Sequence, residues 1–274
     1  MRILLTNDDG IDSVGLHVLA TAMKPFGEVT IVAPDSEYSG TGAAIGAIWE
    51  MRPECERRTL EGFDEAWAVS GPPALCVMFA RMGAFGPVPD LIVSGINPGA
   101  NVGRSVYHSG TIGATLTGRN GGISGVAVSQ SVRDFGVEGQ AWEESIKGLH
   151  WETAAAVAAA AVEGMITGPP AEPSVLNINV PDVPLDQLGR WEWTTVGEVP
   201  PRAMSEATLS PKTGHTDRFH VDLTYGDTTD QPEGTDTAAM QDGHVSLTWL
   251  SRLSAIDQHA PAVDKAVNAL MGLA

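Results

Sequence analysis

Hydrophobic and polar positions follow two textures along this chain. In the first, short continuous apolar runs are separated by stretches with an apolar residue every three to four positions. RILLT (2–6) and EVTIVAP (28–34) are runs of strand length. Between them, LHVLATAMKPFG has helical spacing and a stop at Gly27. Residues 35–71 give no clear period. PPALCVMFARMG (72–83) predicts a helix with proline near its start, where a missing N–H costs nothing. DLIVSG (90–95) and SGVAVSQ (124–130) predict strands, and SGTIGATLTGRNGG (109–122) a short helix with a glycine exit. Trp151 to Ile166 predicts another helix and SVLNINVP (174–181) another strand. Such alternation argues for an α/β fold, a parallel sheet with helices on both faces.

The second texture runs from about 182 to 245. WEWTTVGEV and RFHVDLTY alternate apolar with polar, as half-exposed antiparallel strands do, and PKTGHTD between them reads as a hairpin tip. TYGDTTDQPEGTDT is polar and turn-rich. Residues 186–245 therefore predict an antiparallel extension, of the kind that forms an oligomer arm, within a single domain spanning 1–274. HVSLTWL (244–250) predicts a last strand and APAVDKAVNALMG (260–272) a closing helix. VRDFGVEGQAWEESIKG (132–148) predicts a loop excursion of no evident role.

Composition narrows the function classes. The 274 residues are 43% hydrophobic, enough for a sizeable core. There are 16 Lys+Arg against 34 Asp+Glu, a formal net charge of −18. A surface that negative repels nucleic-acid polymers and anionic membranes. A small anionic substrate would need a local positive element, such as a metal or a helix N-terminus. The two cysteines, Cys55 and Cys76, show no metal spacing and suit a reducing cytoplasm. MRILLTNDD has no leader pattern, and the Ala-rich ETAAAVAAAAVEGMI is too short to span a bilayer. A cytoplasmic protein with no membrane partner is the expectation.

Ligands of open α/β sheets bind beyond the carboxyl ends of the strands. The unusual residues fall there. The first strand runs into Asn7-Asp8-Asp9-Gly10. The second runs into PDSEYSGTG, with Asp35, Ser39, Gly40 and Gly42. The next runs into SGINPGANVG, with Ser94, Asn97 and Asn101, before Tyr107-His108-Ser109-Gly110-Thr111 opens a helix. Successive strand side chains point opposite ways, so Asp8 and Asp9 meet on one ion only outside strand geometry. Gly10 makes that bend cheap. Carboxylates, a hydroxyl and an amide suit a hard cation, Mg²⁺ or Mn²⁺. Two carboxylates leave a divalent site near neutral, open to a phosphate dianion. Ser109-Gly110-Thr111 adds the N–H donors of a helix start.

Each feature also has a plain structural reading. The DD pair can be a solvated turn. Ser39 can belong to a turn, and Asn97 can bond its own backbone. Ser109 and Thr111 can simply cap a helix. His17 reads as packing or surface, whereas His108 sits in the convergent loop. Gly40, Gly42 and Gly46 come near a dinucleotide fingerprint. Ile45 stands where its third glycine belongs, and the run trails its strand, which argues against a nicotinamide site.

MRILLTNDDGIDSVG, VAPDSEYSG, PDLIVSGINPGANVG, YHSGT and GRNGG, in that order, resemble the SurE (survival protein E) family of metal-dependent nucleotidases. The likeness resumes at VLNINVPDVPLDQL and GTDTAAMQDGHVSLTWL. It implies a Rossmann-like three-layer core with a mostly parallel sheet and an antiparallel C-terminal extension, assembled as a homodimer or homotetramer. It implies one divalent cation per subunit, held by Asp8, Asp9, Ser39 and Asn97, and a phosphate pocket of Asn101, Ser109, Gly110 and Thr111. The implied reaction is hydrolysis of nucleoside 5′- and 3′-monophosphates. Asp8 or Asp9 could act as general base; His108, which the resemblance does not supply, could protonate the leaving alkoxide. Adjacent aspartates argue against an aspartyl-phosphate route, which uses DxD. SGTGAAIG, SGPPALCV (in place of Gly-Thr-Pro-x-Asp) and the 132–148 excursion depart from the family pattern. They spare the metal set and fall where substrate-pocket walls are expected. A phosphatase for another phosphorylated metabolite and a non-catalytic nucleotide-binding module stay open.

Overall fold

The computed structural model describes residues 1–132, 146–251, 253, 255 and 260–271. Among these, the strands of the main sheet are β1 (Arg2–Thr6), β2 (Glu28–Pro34), β3 (Cys55–Leu60), β4 (Phe63–Val69), β5 (Leu91–Pro98), β6 (Gly125–Gln130), β7 (Val175–Val180), β8 (Trp191–Trp193) and, after a separate hairpin of β9 (Arg202–Pro211) and β10 (Phe219–Thr228), β11 (Val245–Leu250). The sheet order is β3-β4-β2-β1-β5-β6-β7-β11-β8. From β4 to β7 all pairs are parallel. β3 and β11 run antiparallel to their inner neighbours. The expected α/β architecture with a mostly parallel sheet is therefore what forms. The chain starts at β1, builds outward through β2 and β4, then returns to the other side of β1 with β5. That reversal opens a crevice between the carboxyl ends of β1 and β5.

The helices are α1 (Val14–Met23), the single turn α2 (Ile48–Met51), α3 (Pro73–Arg81), α4 (Gly110–Asn120), α5 (Trp151–Thr167), α6 (Asp236–Gln241) and α7 (Pro261–Leu270). α1 and α5 pack together on one face of the sheet, α3 and α4 on the other. Strand alternation feeds both cores. Ile3, Leu5, Ile31 and Val93 face α1 and α5, while Leu4, Val32 and Ile92 face α3 and α4. Strands covered on both sides read as unbroken apolar runs, which is why β1 and β2 are legible in the sequence. Leu16 and Leu19 of α1 are fully buried; each contributes about 1.5–3 kcal/mol. Ser13 starts α1 by accepting the Leu16 N–H at 3.3 Å.

Two regions differ from expectation. The stretch without clear period holds the edge pair β3–β4. Cys55, Glu56 and Arg57 are exposed, Arg57 pairs with Glu65 at 3.2 Å, and its guanidinium lies 5.0 Å from the Trp67 ring. Charge on an edge strand guards it against further pairing and hides its period. In the C-terminal part, the antiparallel pair is β9–β10, tipped by KTGHTDR, rather than WEWTTVGEV with RFHVDLTY. Trp191–Trp193 instead joins the main sheet, parallel to β11. The excursion expected at 132–148 lies largely outside the described residues. Among those described, no helix is long and apolar enough to cross a membrane.

Candidate active site

β1 ends at Thr6 and the chain turns through Asn7–Gly10. The Asn7 amide nitrogen donates to Gly10 O at 3.1 Å and Ser13 Oγ at 2.6 Å, so one side chain shapes the turn and touches the α1 cap. Gly10 has φ +99°, open to glycine without strain. Ile11 N–H then donates to Pro34 O at 2.8 Å, pinning the turn to the end of β2. Asp8 and Asp9 have left strand geometry, as a shared ion requires.

Asp8 is 2% exposed. Its Oδ1 accepts the Thr111 hydroxyl at 2.5 Å. A Cβ on Gly110 would lie 2.8 Å from Asp8 Cβ and Oδ2, so only a bare backbone lets the start of α4 approach this close. The Asp8 carbonyl accepts Tyr38 N–H at 2.7 Å, which brings the Ser39 segment beside it. Gly42 N–H donates to His108 O at 2.9 Å. Gly42 O occupies the space a Cβ on Gly113 would need. The glycine run SGTG is thus a strap across α4.

The electrostatics are costly. Burial pushes the Asp8 carboxyl above the usual carboxylate range; the Thr111 hydroxyl opposes that and Glu37 reinforces it. Burial, then Asp8, then Glu37 push Asp9 up to about 8. Asp9 Oδ2 is buried with no hydrogen-bond partner. Buried polar atoms are normally satisfied, and desolvated like charges ionise together only beside a positive charge. The Asn97 amide nitrogen donates to Gly99 O at 2.6 Å, leaving Oδ1 as its acceptor end. Ser39 is exposed. Among the described residues no group of three or more His, Cys, Asp or Glu gathers to hold a metal. A cation here would rest on two carboxylates and neutral oxygens, and the orphaned Asp9 oxygen and all-oxygen donor set fit a hard divalent ion.

The remaining candidates have mixed roles. The Asn101 amide nitrogen donates to Ser129 Oγ at 2.9 Å, its N–H to Asn179 Oδ1 at 2.7 Å, and its carbonyl accepts Asn177 and Asn179 amides at 2.9 and 3.2 Å. Its nitrogen end is thus committed to the protein interior. Ser109 Oγ caps α4 by accepting Ile112 N–H at 3.1 Å. His108 is exposed, and its ring lies edge-on to that of Tyr107 at 5.4 Å. It lines a cavity of about 1180 Å³ with Gly42, Ser109, Val196 and Trp249. Asp9 lines a separate cavity of about 360 Å³ with Asp12, Glu37 and Trp151. Pro73–Val77, from SGPPALCV, are buried in α3 and line neither cavity, contrary to the expected pocket wall; Gly42 and Ala43 do line the larger one. Sequence reasoning missed Asn7, the Gly42 strap and the Asn177–Asn179 pair. The last had a signal, two polar residues on one face of an otherwise apolar strand.

A family model described as survival protein SurE matches residues 3–202. The chain belongs to the SurE family. It is 35% identical over 251 residues to a 5′-nucleotidase SurE of Aeromonas hydrophila subsp. hydrophila, covering 92% of each chain. It is 34% identical over 275 residues to a 5′/3′-nucleotidase SurE of Erwinia tasmaniensis, covering 100% of this chain and 98% of the other. The crystal structure of a SurE protein from Aquifex aeolicus matches with a TM-score of 0.73 at 27% identity, over 99% of this chain and 100% of that one. Membership in the SurE family makes the protein a hydrolase of the phosphomonoesterase type.

Proposed function

We propose that this SurE protein is a divalent-metal-dependent phosphatase acting on nucleoside 5′- and 3′-monophosphates. The observation that carries the reading is the contact between Asp8 and the start of α4. Thr111 hydroxyl, Gly110 backbone and Asp8 carboxylate meet there, so a cation held by Asp8 and an anion at the helix start would share one wall. The nucleotide part rests on the two relatives' printed activities.

Asp8, Asp9, Ser39 and Asn97 would hold Mg²⁺ or Mn²⁺. Bound there, such an ion supplies Lewis-acid polarisation of a phosphoryl oxygen and a lowered pKa for water. The chain's own groups do the rest. Thr111 fixes the Asp8 carboxylate by occupying Oδ1. Asp9 lines the smaller cavity and Asp8 lines neither, so of the two aspartates Asp9 is the one placed to take a proton from an attacking water. At the start of α4, Ile112 N–H is taken by Ser109 Oγ and Thr111 N–H lies against the Asp8 carboxylate, so Gly110 N–H would serve the equatorial charge that grows during in-line displacement. His108 stands at the mouth of the larger cavity, where it can give a proton to a leaving alkoxide.

A homodimer or homotetramer in the cytoplasm, built from one α/β unit with the β9–β10 hairpin as its arm, completes the proposal. Exposed Leu209, Val221 and Leu223 on β9–β10 and Val263, Val267 and Leu270 on α7 support the assembly. The test is phosphate release from p-nitrophenyl phosphate and a panel of nucleoside monophosphates, with Mg²⁺ or Mn²⁺ and with chelator. Metal-dependent release, strongest on nucleotides, is the expected result. No release from any of them, at concentrations where a control phosphatase turns over, overturns the reading. Release confined to non-nucleotide phosphates would favour another metabolite.

A further inference from the structure

Asp236 opens α6 and is fully buried. Its Oδ2 accepts Gly103 N–H at 2.9 Å; its Oδ1 accepts Gly197 N–H and its own Thr237 N–H, both at 2.8 Å. One side chain thereby joins three segments far apart in sequence. Gly103 begins the 3₁₀ turn Gly103–Tyr107. That turn delivers His108, whose carbonyl holds the Gly42 strap, and Ser109, the cap of α4. Gly197 lies between β8 and the β9–β10 arm and lines the same cavity as His108. The junction is tight. A Cβ on Gly103, at φ +53°, would lie 3.0 Å from Thr237 Cγ2 and 3.2 Å from Gly197 O.

We infer that Asp236 is a positioning residue for the phosphate pocket. By holding the Gly103 and Gly197 amides together it fixes the turn that sets Ser109 and the first N–H groups of α4. A buried carboxylate costs stability, and burial raises this one while its three N–H partners oppose the rise. Asparagine cannot reproduce the arrangement, because its NH₂ would oppose a backbone N–H at one of the two oxygens.

The inference rests on the phosphomonoesterase reading for its kinetic arm alone. In the full chain, Asp236→Asn should speed amide hydrogen exchange of Ser109–Gly113 relative to β1 and β5. With p-nitrophenyl phosphate, kcat/KM should fall roughly tenfold, the size of one lost charge-assisted hydrogen bond, with kcat carrying most of the loss. Gly103→Ala is the second variant; it opens the same junction with the carboxylate intact and should give the same pattern. Equal acceleration across the whole sheet, or an unchanged kcat/KM in a folded variant, overturns the inference. If the wild type releases no phosphate, the phosphomonoesterase reading falls, and the exchange measurement still decides the role of Asp236.

Discussion

The carboxyl edge around β1, β5 and α4 and the β9–β10 hairpin are built in opposite ways. At the edge, residues distant in sequence interlock. Asp8 bonds Thr111, Gly42 N–H reaches His108 O, and Asn101 is held by Asn177 and Asn179. In the hairpin, among the described residues, each strand pairs only with the other, and the described side chains are mostly exposed on both faces. The first region has its geometry imposed by two cores beneath it. The second is ordered by local pairing and leaves its apolar side chains in solvent. A hairpin of that kind is marginal alone, whereas the edge can hold costly features such as adjacent buried carboxylates.

Substitutions at the edge should therefore act on function and fold together, and those on the arm on neither in the monomer. The largest effect expected is from Asp9→Asn. Phosphate release should vanish, yet the metal-free protein should gain about 1–3 kcal/mol at pH 8, because an unpaired buried charge is gone. Thermal unfolding in chelator checks the second half; a loss of stability would mean Asp9 is already satisfied. Next is Gly113→Val, which drives a side chain into Gly42 O. It should cost about 1–3 kcal/mol and, by displacing the strap and the α4 start by about an ångström, roughly 10²-fold in kcat/KM. Thr111→Val removes the hydroxyl on Asp8 at constant shape. Metal affinity should weaken roughly 10–100-fold, read by isothermal titration. The smallest effect is Val221→Thr on the arm, within about 0.5 kcal/mol in the monomer with activity unchanged. A large loss from the arm substitution at low protein concentration would erase the contrast between the regions.

What was legible in the sequence follows the same division. β1, β2, β5, β6 and β7 are covered on both faces, so their apolar runs stand out. Asp8, Asp9, Ser39 and Asn97 stood out as polar residues just past or near strand ends. The bond from Thr111 to Asp8 spans 103 residues and is set by topology, so no local pattern announces it. β3 escaped because an edge strand carries charge at positions that would show a period. WEW alternates as a half-exposed strand does and so predicts an arm strand, but alternation does not name the neighbour that β8 pairs with. Nothing local marks Asp236, because its partners Gly103 and Gly197 are fixed only by the fold.

The central claim is that one wall serves both a cation and a phosphate. Titrating Mn²⁺ into the metal-free protein, with and without inorganic phosphate, tests it most directly, because two ligands sharing a site must affect each other's affinity equally. The account predicts that phosphate tightens Mn²⁺ binding in the wild type and that Asp8→Asn abolishes both the binding and the coupling. Mn²⁺ binding that ignores phosphate, or that survives Asp8→Asn unchanged, would contradict it.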